Sequence, residues 1–192
     1  MKQFAKALSN ELEPMWRFAL RLTANEADAE DLVQQTCVKA LESVQSYQEQ
    51  GRLRSWLFRI EHRIWLNVLR SRQIRSEGSF NKSNRNLDSL IAQNCVAVDP
   101  SSNYRLFVDD HSPESQLRLH QIFLQVESLV EAQRLVVILV CVEGFTYHET
   151  AQILDIPIGT VMSRLARARF SLGKAMLAEQ DERQTAEVDG GP

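Results

Sequence analysis

The sequence predicts an all-α protein made of two small helical domains joined by a flexible linker. Three observations carry this expectation. Apolar residues recur at spacings of three and four through residues 8–75 and again through 112–178. Between them that period lapses and Ser, Asn, Asp and Gly dominate. Finally, Gly144–Arg169 reads as helix, tight turn, helix. The expected division is a first domain over 1–75, a linker over 76–111, a second domain over 112–178 and a disordered acidic tail over 179–192.

In the first domain, Leu8, Leu12, Met15, Trp16, Ala19, Leu20 and Leu22 mark one face of a first helix. A polar break at Asn25–Asp28 ends it, and Asp28 is the expected cap of a second helix reaching about Ser43. Ala29, Leu32, Val33, Thr36, Ala40 and Leu41 would point inward. Asp31, Gln34, Gln35 and Lys39 would point outward, a face that pattern alone reads as solvated. A loop over Ser46–Leu53 leads to a third helix from Arg54 to about Arg75. There Leu57, Ile60, Ile64, Val68 and Trp56 would pack inward, while Arg59, Arg63, Asn67 and Arg70 line an outer ridge. Arginines interleaved with aromatic rings suit single-stranded nucleic acid, where each stacked base contributes about 1–3 kcal/mol. The alternative, that Trp56, Phe58 and Trp65 are core, is expected for at least one of them.

The linker carries a short helical pattern over Leu87–Ala97 and two apolar pieces, Leu90-Ile91 and Leu106-Phe107-Val108, which suggest docking. Ser112, Pro113 and Glu114 form a helix start. Leu117, Ile122 (or Leu119), Val126 and Leu129 give one helix, and the very apolar Glu131–Val142 a second, with Cys141 as a small core residue. Thr146 and Glu149 form a capping box. The helix it starts would run over Tyr147–Leu154, with Ala151 and Leu154 inward, until Asp155-Ile156-Pro157 stops it. The last helix starts near Thr160, burying Val161, Leu165, Ala168 and Leu172. Its opposite face shows Thr160, Ser163, Arg164 and Arg167, chemistry suited to a DNA major groove. An ordinary helical hairpin with a solvated basic face is the alternative.

Composition narrows the function. The net charge of −3 hides a local excess: residues 51–75 carry seven arginines against Glu61 alone. No apolar run approaches the ~20 residues a membrane span needs, and the N-terminus does not read as a signal peptide. Cys37, Cys95 and Cys141 form no CxxC pair, so no disulfide framework or zinc site is expected. No phosphate-cradling glycine motif occurs, and His148-Glu149 lacks a second histidine, because Gln152 holds that position. The expectation is a cytoplasmic protein that is not an enzyme and needs no metal or cofactor.

Three stretches carry a resemblance: DAEDLVQQTCVKAL (28–41), RSWLFRI (54–60) and YHETAQILDIPIGTVMSRLARAR (147–169). In this order they resemble the extracytoplasmic-function sigma factors, small two-domain members of the bacterial sigma-70 family. The resemblance implies a non-catalytic subunit that directs RNA polymerase core to particular promoters. It makes residues 1–75 a sigma-2 domain, with Asp31, Gln34 and Gln35 docking on the β′ clamp. Arg52, Arg54, Trp56, Arg59, His62, Arg63, Asn67 and Arg70 would then recognise and melt the minus-ten element, where a base is captured outside the stack. It makes residues 112–178 a sigma-4 domain that binds the β flap and reads the minus-thirty-five element through Tyr147, Thr160, Ser163, Arg164 and Arg167. The linker would thread towards the RNA exit path. A small anti-sigma factor, often membrane-anchored, would hold such a protein inactive.

Several positions depart from the family pattern. The ridge usually reads I-A-x-N and here reads I-E-H-R, with Glu61 and Arg63, and the usual Asp four residues later is Asn67. A guanidinium in place of a short amide changes which minus-ten base can be contacted. The usual Leu-Pro before the central sigma-4 helix is Leu129-Val130, and the usual Gly before Ile-Pro is Asp155. Two rival readings are a one-component regulator with a similar helix–turn–helix and a helical adaptor that binds only protein. The 28–60 segments argue against the first, and the arginine ridge against the second.

Overall fold

A computed structural model describes the backbone over residues 2–47, 52–76 and 121–188, and the side chains there except those of Ser46, Gln73, Ser76 and 175–188. Every regular element among these residues is helical. The expectations for 77–120, including the linker pieces, the 112–114 helix start, Leu117 and Leu119, fall outside the described residues.

The first half holds α1 (Lys2–Ser9), α2 (Leu12–Thr23), α3 (Glu26–Glu42), a 3-10 turn (Val44–Ser46) and α4 (Leu53–Ser76). The single first helix expected from the pattern is two, parted at Asn10-Glu11, and Leu12 is exposed. Pro14 is the physical reason: without an N–H it fits only the first turn, so a new helix must begin near Leu12. The second helix also starts earlier than expected. Asn25 caps it, its Oδ1 accepting from the Asp28 N–H at 3.0 Å. Asp28 instead takes a 2.7 Å bond from Arg72 Nη2 on α4. The core of this half is apolar, with Phe18 and Phe58 stacked at 4.6 Å in the same buried cluster as Met15, Leu32 and Leu69.

The second half holds α5 (121–127), α6 (Glu131–Val137), a π turn (Ile138–Val142), α7 (Tyr147–Leu154) and α8 (Ile158–Val188). Val130 precedes α6 with φ −57, a value within proline's range, so valine replaces the usual proline without strain. Arg134 ties the α5–α6 corner by binding both Glu127 and Glu131. The expected straight helix over Glu131–Val142 widens at its end, with the Glu143 N–H bonding to Ile138 O at 3.0 Å. This shift of register turns Cys141 and Val142 outward, so Cys141 is exposed and not core. Ile122 is exposed as well.

The helix–turn–helix follows the sequence closely. Thr146 and Glu149 make the full capping box, and Ala151 and Leu154 are buried. Asp155 occupies the family's glycine position with φ 56, the left-handed region that Asp tolerates better than most residues. α8 starts at Ile158, two residues before the expected start, and buries Val161, Leu165 and Ala168. It continues through Val188, where composition suggested a disordered tail. Residues 175–188 are rich in Ala, Met, Leu, Glu and Gln and hold neither Gly nor Pro, so helix propensity sustains the backbone.

The two halves pack directly together. α4 lies between α2 and α3 on one side and α7 on the other, and the buried apolar residues of both halves form one cluster.

Candidate nucleic-acid interface

Helix α4 supplies the expected strand-binding ridge. Arg59, Arg63, Asn67 and Arg70 recur at helical spacing on its outer side; the last three are exposed and Arg59 is half-buried. Arg70 Nη1 donates to Asn67 Oδ1 at 3.3 Å, which orients that amide along the ridge. Trp56 packs with Phe4 and Tyr47 in a half-buried aromatic group, at centroid distances of 6.2 and 5.3 Å. Two of the expected DNA residues have other occupations. Arg54 Nε donates to Glu11 Oε2 at 2.6 Å and pins α4 to the start of α2. His62 is buried, 2 % exposed, because α7 covers this side of α4. Among the expected inward residues, Leu57 is fully buried and Ile60, Ile64, Val68 and Trp56 are only half-buried; Phe58, Trp65, Leu66 and Leu69 fill the interior.

Burial sets the ionisation of this region. His62 is pushed down to about 4 by loss of solvent, which a backbone group of Ile153 and the Asp155 carboxylate only partly oppose. Neither ring nitrogen makes a hydrogen bond of normal geometry among the described residues. Glu61, next to it, is fully buried with both oxygens unpaired among the described residues. Its carboxyl is raised well above the ordinary range by burial and then by the nearby Glu143 charge, both of which favour its neutral form.

On α3, Asp31, Gln34 and Gln35 are exposed as expected. Gln34 Nε2 donates to Glu30 Oε1 at 3.2 Å, while Asp31 and Gln35 border a shallow groove floored by Leu32, Trp65 and Val68. Arg72 lies at one end, 5.5 Å over the Trp65 ring. The sequence reading missed the apolar part of this face. Val38 is 57 % exposed, and Leu41, expected inward, is 41 % exposed. A period-3.6 projection centred on Asp31 and Gln35 places Val38 among them.

On α8, Ser163 and Arg167 are exposed, and Thr160 and Arg164 half-buried. Ser163 Oγ donates to Thr160 O at 3.1 Å. Tyr147, half-buried, opens α7 beside the turn. Ile158 and Met162 are exposed next to these residues and were absent from the sequence-derived set. Polar hydroxyls, a guanidinium and two apolar side chains thus share one helix surface, the mixture that base edges and thymine methyls call for.

Contacts between the halves surround the ridge. Arg21 Nη1 donates to Glu143 Oε1 at 3.1 Å, and both side chains are almost wholly buried. Phe58 meets Phe145 edge-on at 5.2 Å. Arg63 Nη2 lies 3.7 Å from Asp155 Oδ2, and Arg52 Nε 3.7 Å from Glu149 Oε1. Glu149 keeps its other oxygen on Thr146. Burial alone would raise its pKa, but the Thr146 bonds and then Arg52 outweigh burial and lower it.

Comparison with known proteins agrees with this arrangement of parts. Residues 9–75 match the family described as Sigma-70 region 2, and residues 119–172 match Sigma-70, region 4. The chain is 32% identical over 152 residues to the ECF RNA polymerase sigma-E factor of Escherichia coli strain K12, covering 76% of this chain and 72% of that protein. It is 28% identical over 177 residues to the ECF RNA polymerase sigma factor SigE of Mycolicibacterium smegmatis, covering 90% of this chain and 61% of that protein. Among solved structures, the sigma factor RpoE of Bartonella quintana, in complex with the anti-sigma factor NepR, superposes with a TM-score of 0.64. It has 29% identity and is matched over 92% of this chain and 98% of that one.

Proposed function

The chain belongs to the extracytoplasmic-function sigma factors of the sigma-70 family, the subunits that direct transcription initiation by RNA polymerase, and on that premise we propose how its parts divide the work. The observation that carries the proposal is the pairing, in one chain, of an arginine ridge on α4 with a helix–turn–helix whose α8 shows Ser163 and Arg167 to solvent.

In this reading the first half is the polymerase-docking and minus-ten half. Asp31, Gln34 and Gln35, with Val38 and Leu41 beside them, dock on the β′ clamp of core polymerase. Arg52, Arg59, Arg63, Asn67 and Arg70, with Trp56 at one end, hold the separated non-template strand, charges following phosphates and rings stacking on bases. His62 reaches that strand only after α7 leaves α4. Arg54 contributes by fixing the start of α4 against Glu11. The second half is the minus-thirty-five half: Tyr147, Thr160, Ser163, Arg164 and Arg167 enter the major groove, and the β flap holds this half in place. Its six basic and six acidic side chains over 113–178 provide no net electrostatic attraction to DNA. Core polymerase therefore supplies the effective concentration that makes both anchors productive.

The protein acts by binding, without catalysis of its own. No helix among the described residues is long and apolar enough to cross a membrane. The proposed site of action is the cytoplasm, with a small anti-sigma protein holding the chain inactive, at the membrane face if that partner is anchored there. The test is reconstitution with purified core polymerase. A stoichiometric complex and promoter-dependent run-off RNA are expected; no complex and no RNA above core alone would overturn the reading.

A further inference from the structure

Helix α1 precedes the segment shared with Sigma-70 region 2, which begins at residue 9, yet one of its rings packs at the start of α4. Two features hold α1 in place. Leu8 is buried in the core cluster, and across the break that parts α1 from α2 the Glu11 N–H bonds to Leu8 O at 3.0 Å. Glu11 also accepts from Arg54 of α4, so the end of α1 and the start of α4 share one anchor. One turn before Leu8, and on the same helix face, stands Phe4. Its ring lies edge-on to Trp56 at 6.2 Å and 77°, and tilted against Tyr47 at 6.1 Å, while Tyr47 and Trp56 are 5.3 Å apart. Each of the three rings therefore contacts the other two, at separations where edge-to-face pairs attract.

Two observations set this group apart from ordinary core. Phe18 and Phe58 are fully buried, whereas Phe4, Tyr47 and Trp56 are all half-buried, so part of each ring meets solvent. Trp56 also continues the basic row of α4: Arg52, Trp56, Arg59, Arg63, Asn67 and Arg70 follow one another at spacings of three and four. Tyr47 and Trp56 sit where the chain is least constrained locally, one just after the 3-10 turn and the other in the first turn of α4. A ring that must be ordered on binding weakens binding, and a ring already held in place does not.

We propose that Phe4 is a positioning residue for minus-ten recognition: by holding Trp56 and Tyr47 it fixes the aromatic end of the α4 row, on which a separated base stacks. The inference rests on the function proposed for that row. Phe4 acts through the other two rings and needs no contact with DNA of its own.

The test uses the full chain with core polymerase on two templates that differ only in the minus-ten element, one duplex and one made non-complementary there, so that it is already open. Phe4→Leu keeps an apolar side chain and removes the ring, whereas Phe4→Tyr keeps the ring. On the duplex template, 2-aminopurine fluorescence in the minus-ten element should show the open complex disfavoured by about three- to tenfold in Phe4→Leu, the range an aromatic pair is worth. Phe4→Tyr should restore the wild-type value. On the open template, run-off by Phe4→Leu at saturating holoenzyme should equal that of wild type. In a Trp56→Leu background the further change Phe4→Leu should cost little, because its effect passes through that ring. Loss of folding or of core binding would lower output from both templates alike. Equal losses on the two templates, or none on either, would thus overturn the proposal. Wild-type activity accompanied by either result removes this inference and leaves the function; a wild type that makes no promoter-dependent RNA overturns both.

Discussion

Arg21 and Glu143, 122 residues apart in sequence, form a buried ion pair at 3.1 Å that joins α2 to the end of the π turn. Arg21 loses basicity through burial, an effect that Glu143 offsets by charge and hydrogen bond. Removing one partner of such a pair leaves an uncompensated buried charge and costs about 3–5 kcal/mol, whereas replacing both with apolar residues is often close to neutral. Arg21→Leu and Glu143→Leu should each lower the urea midpoint, and the double variant should recover most of the loss. Additive losses in the double variant would mean that the two side chains do not act as a pair.

Glu61 and His62 give stability opposite pH dependences. Glu61 has its pKa raised in the folded protein, so keeping it protonated costs increasingly more as pH rises above about 4.5, the ordinary carboxyl value. Glu61→Met, which removes two unpaired oxygens at similar volume, should stabilise the protein by about 1–3 kcal/mol near neutral pH and by less near pH 5. Thermal melts at both pH values check this, and a destabilised variant would contradict it.

His62 has its pKa lowered to about 4 from 6.5, so its packing is fully supported above 6.5 and weakens as pH falls through that window. His62→Leu should remove this component of the acid sensitivity. An unchanged slope of melting temperature against pH between 6.5 and 4 would show that another group is responsible.

The α3 face should bind protein through an apolar centre with a polar surround. Val38→Ser and Asp31→Ala should each weaken binding to core polymerase, by about 1–2 kcal/mol for the buried apolar contact. Their unfolding midpoints should stay unchanged, because both positions are exposed. Equal affinity for core in both variants would return this face to solvent.

On α8, Arg167→Ala should cost about 1–3 kcal/mol of discrimination if its guanidinium makes a bidentate contact with guanine. Replacing thymine by deoxyuridine in the minus-thirty-five element removes only the C5 methyl, and should weaken binding by wild type more than by Met162→Ala. Equal loss in both proteins would place Met162 away from the bases.

Local features of this fold were legible because their causes are local. Thr146, Glu149 and Pro157 specify the helix–turn–helix at short range, and the structure realises the capping box they predict. The helix break before Pro14 carried an equally local signal, which the apolar spacing of 8–22 overrode, and the Asn25 cap lay hidden within the polar run Asn25–Asp28, where Asp28 offers the same capping chemistry. The burial of His62 carried none. Its side of α4 reads as an outer face until α7 is packed against it, a contact between residues about ninety positions apart. Cys141 misled for a related reason: an apolar run suggests core, but one π turn changes the register and sends its last residues to the surface. The ridge at Arg63, Asn67 and Arg70 stayed legible, since exposure on a long helix follows its own period.

The most direct measurement is sequencing of RNA 5′ ends made by core polymerase with this protein on a random promoter library. The account predicts transcripts sharing two upstream boxes, absent with core alone, and an Arg167→Ala variant that alters preference only in the upstream box. Transcripts without a shared motif, or none beyond those of core alone, would contradict it.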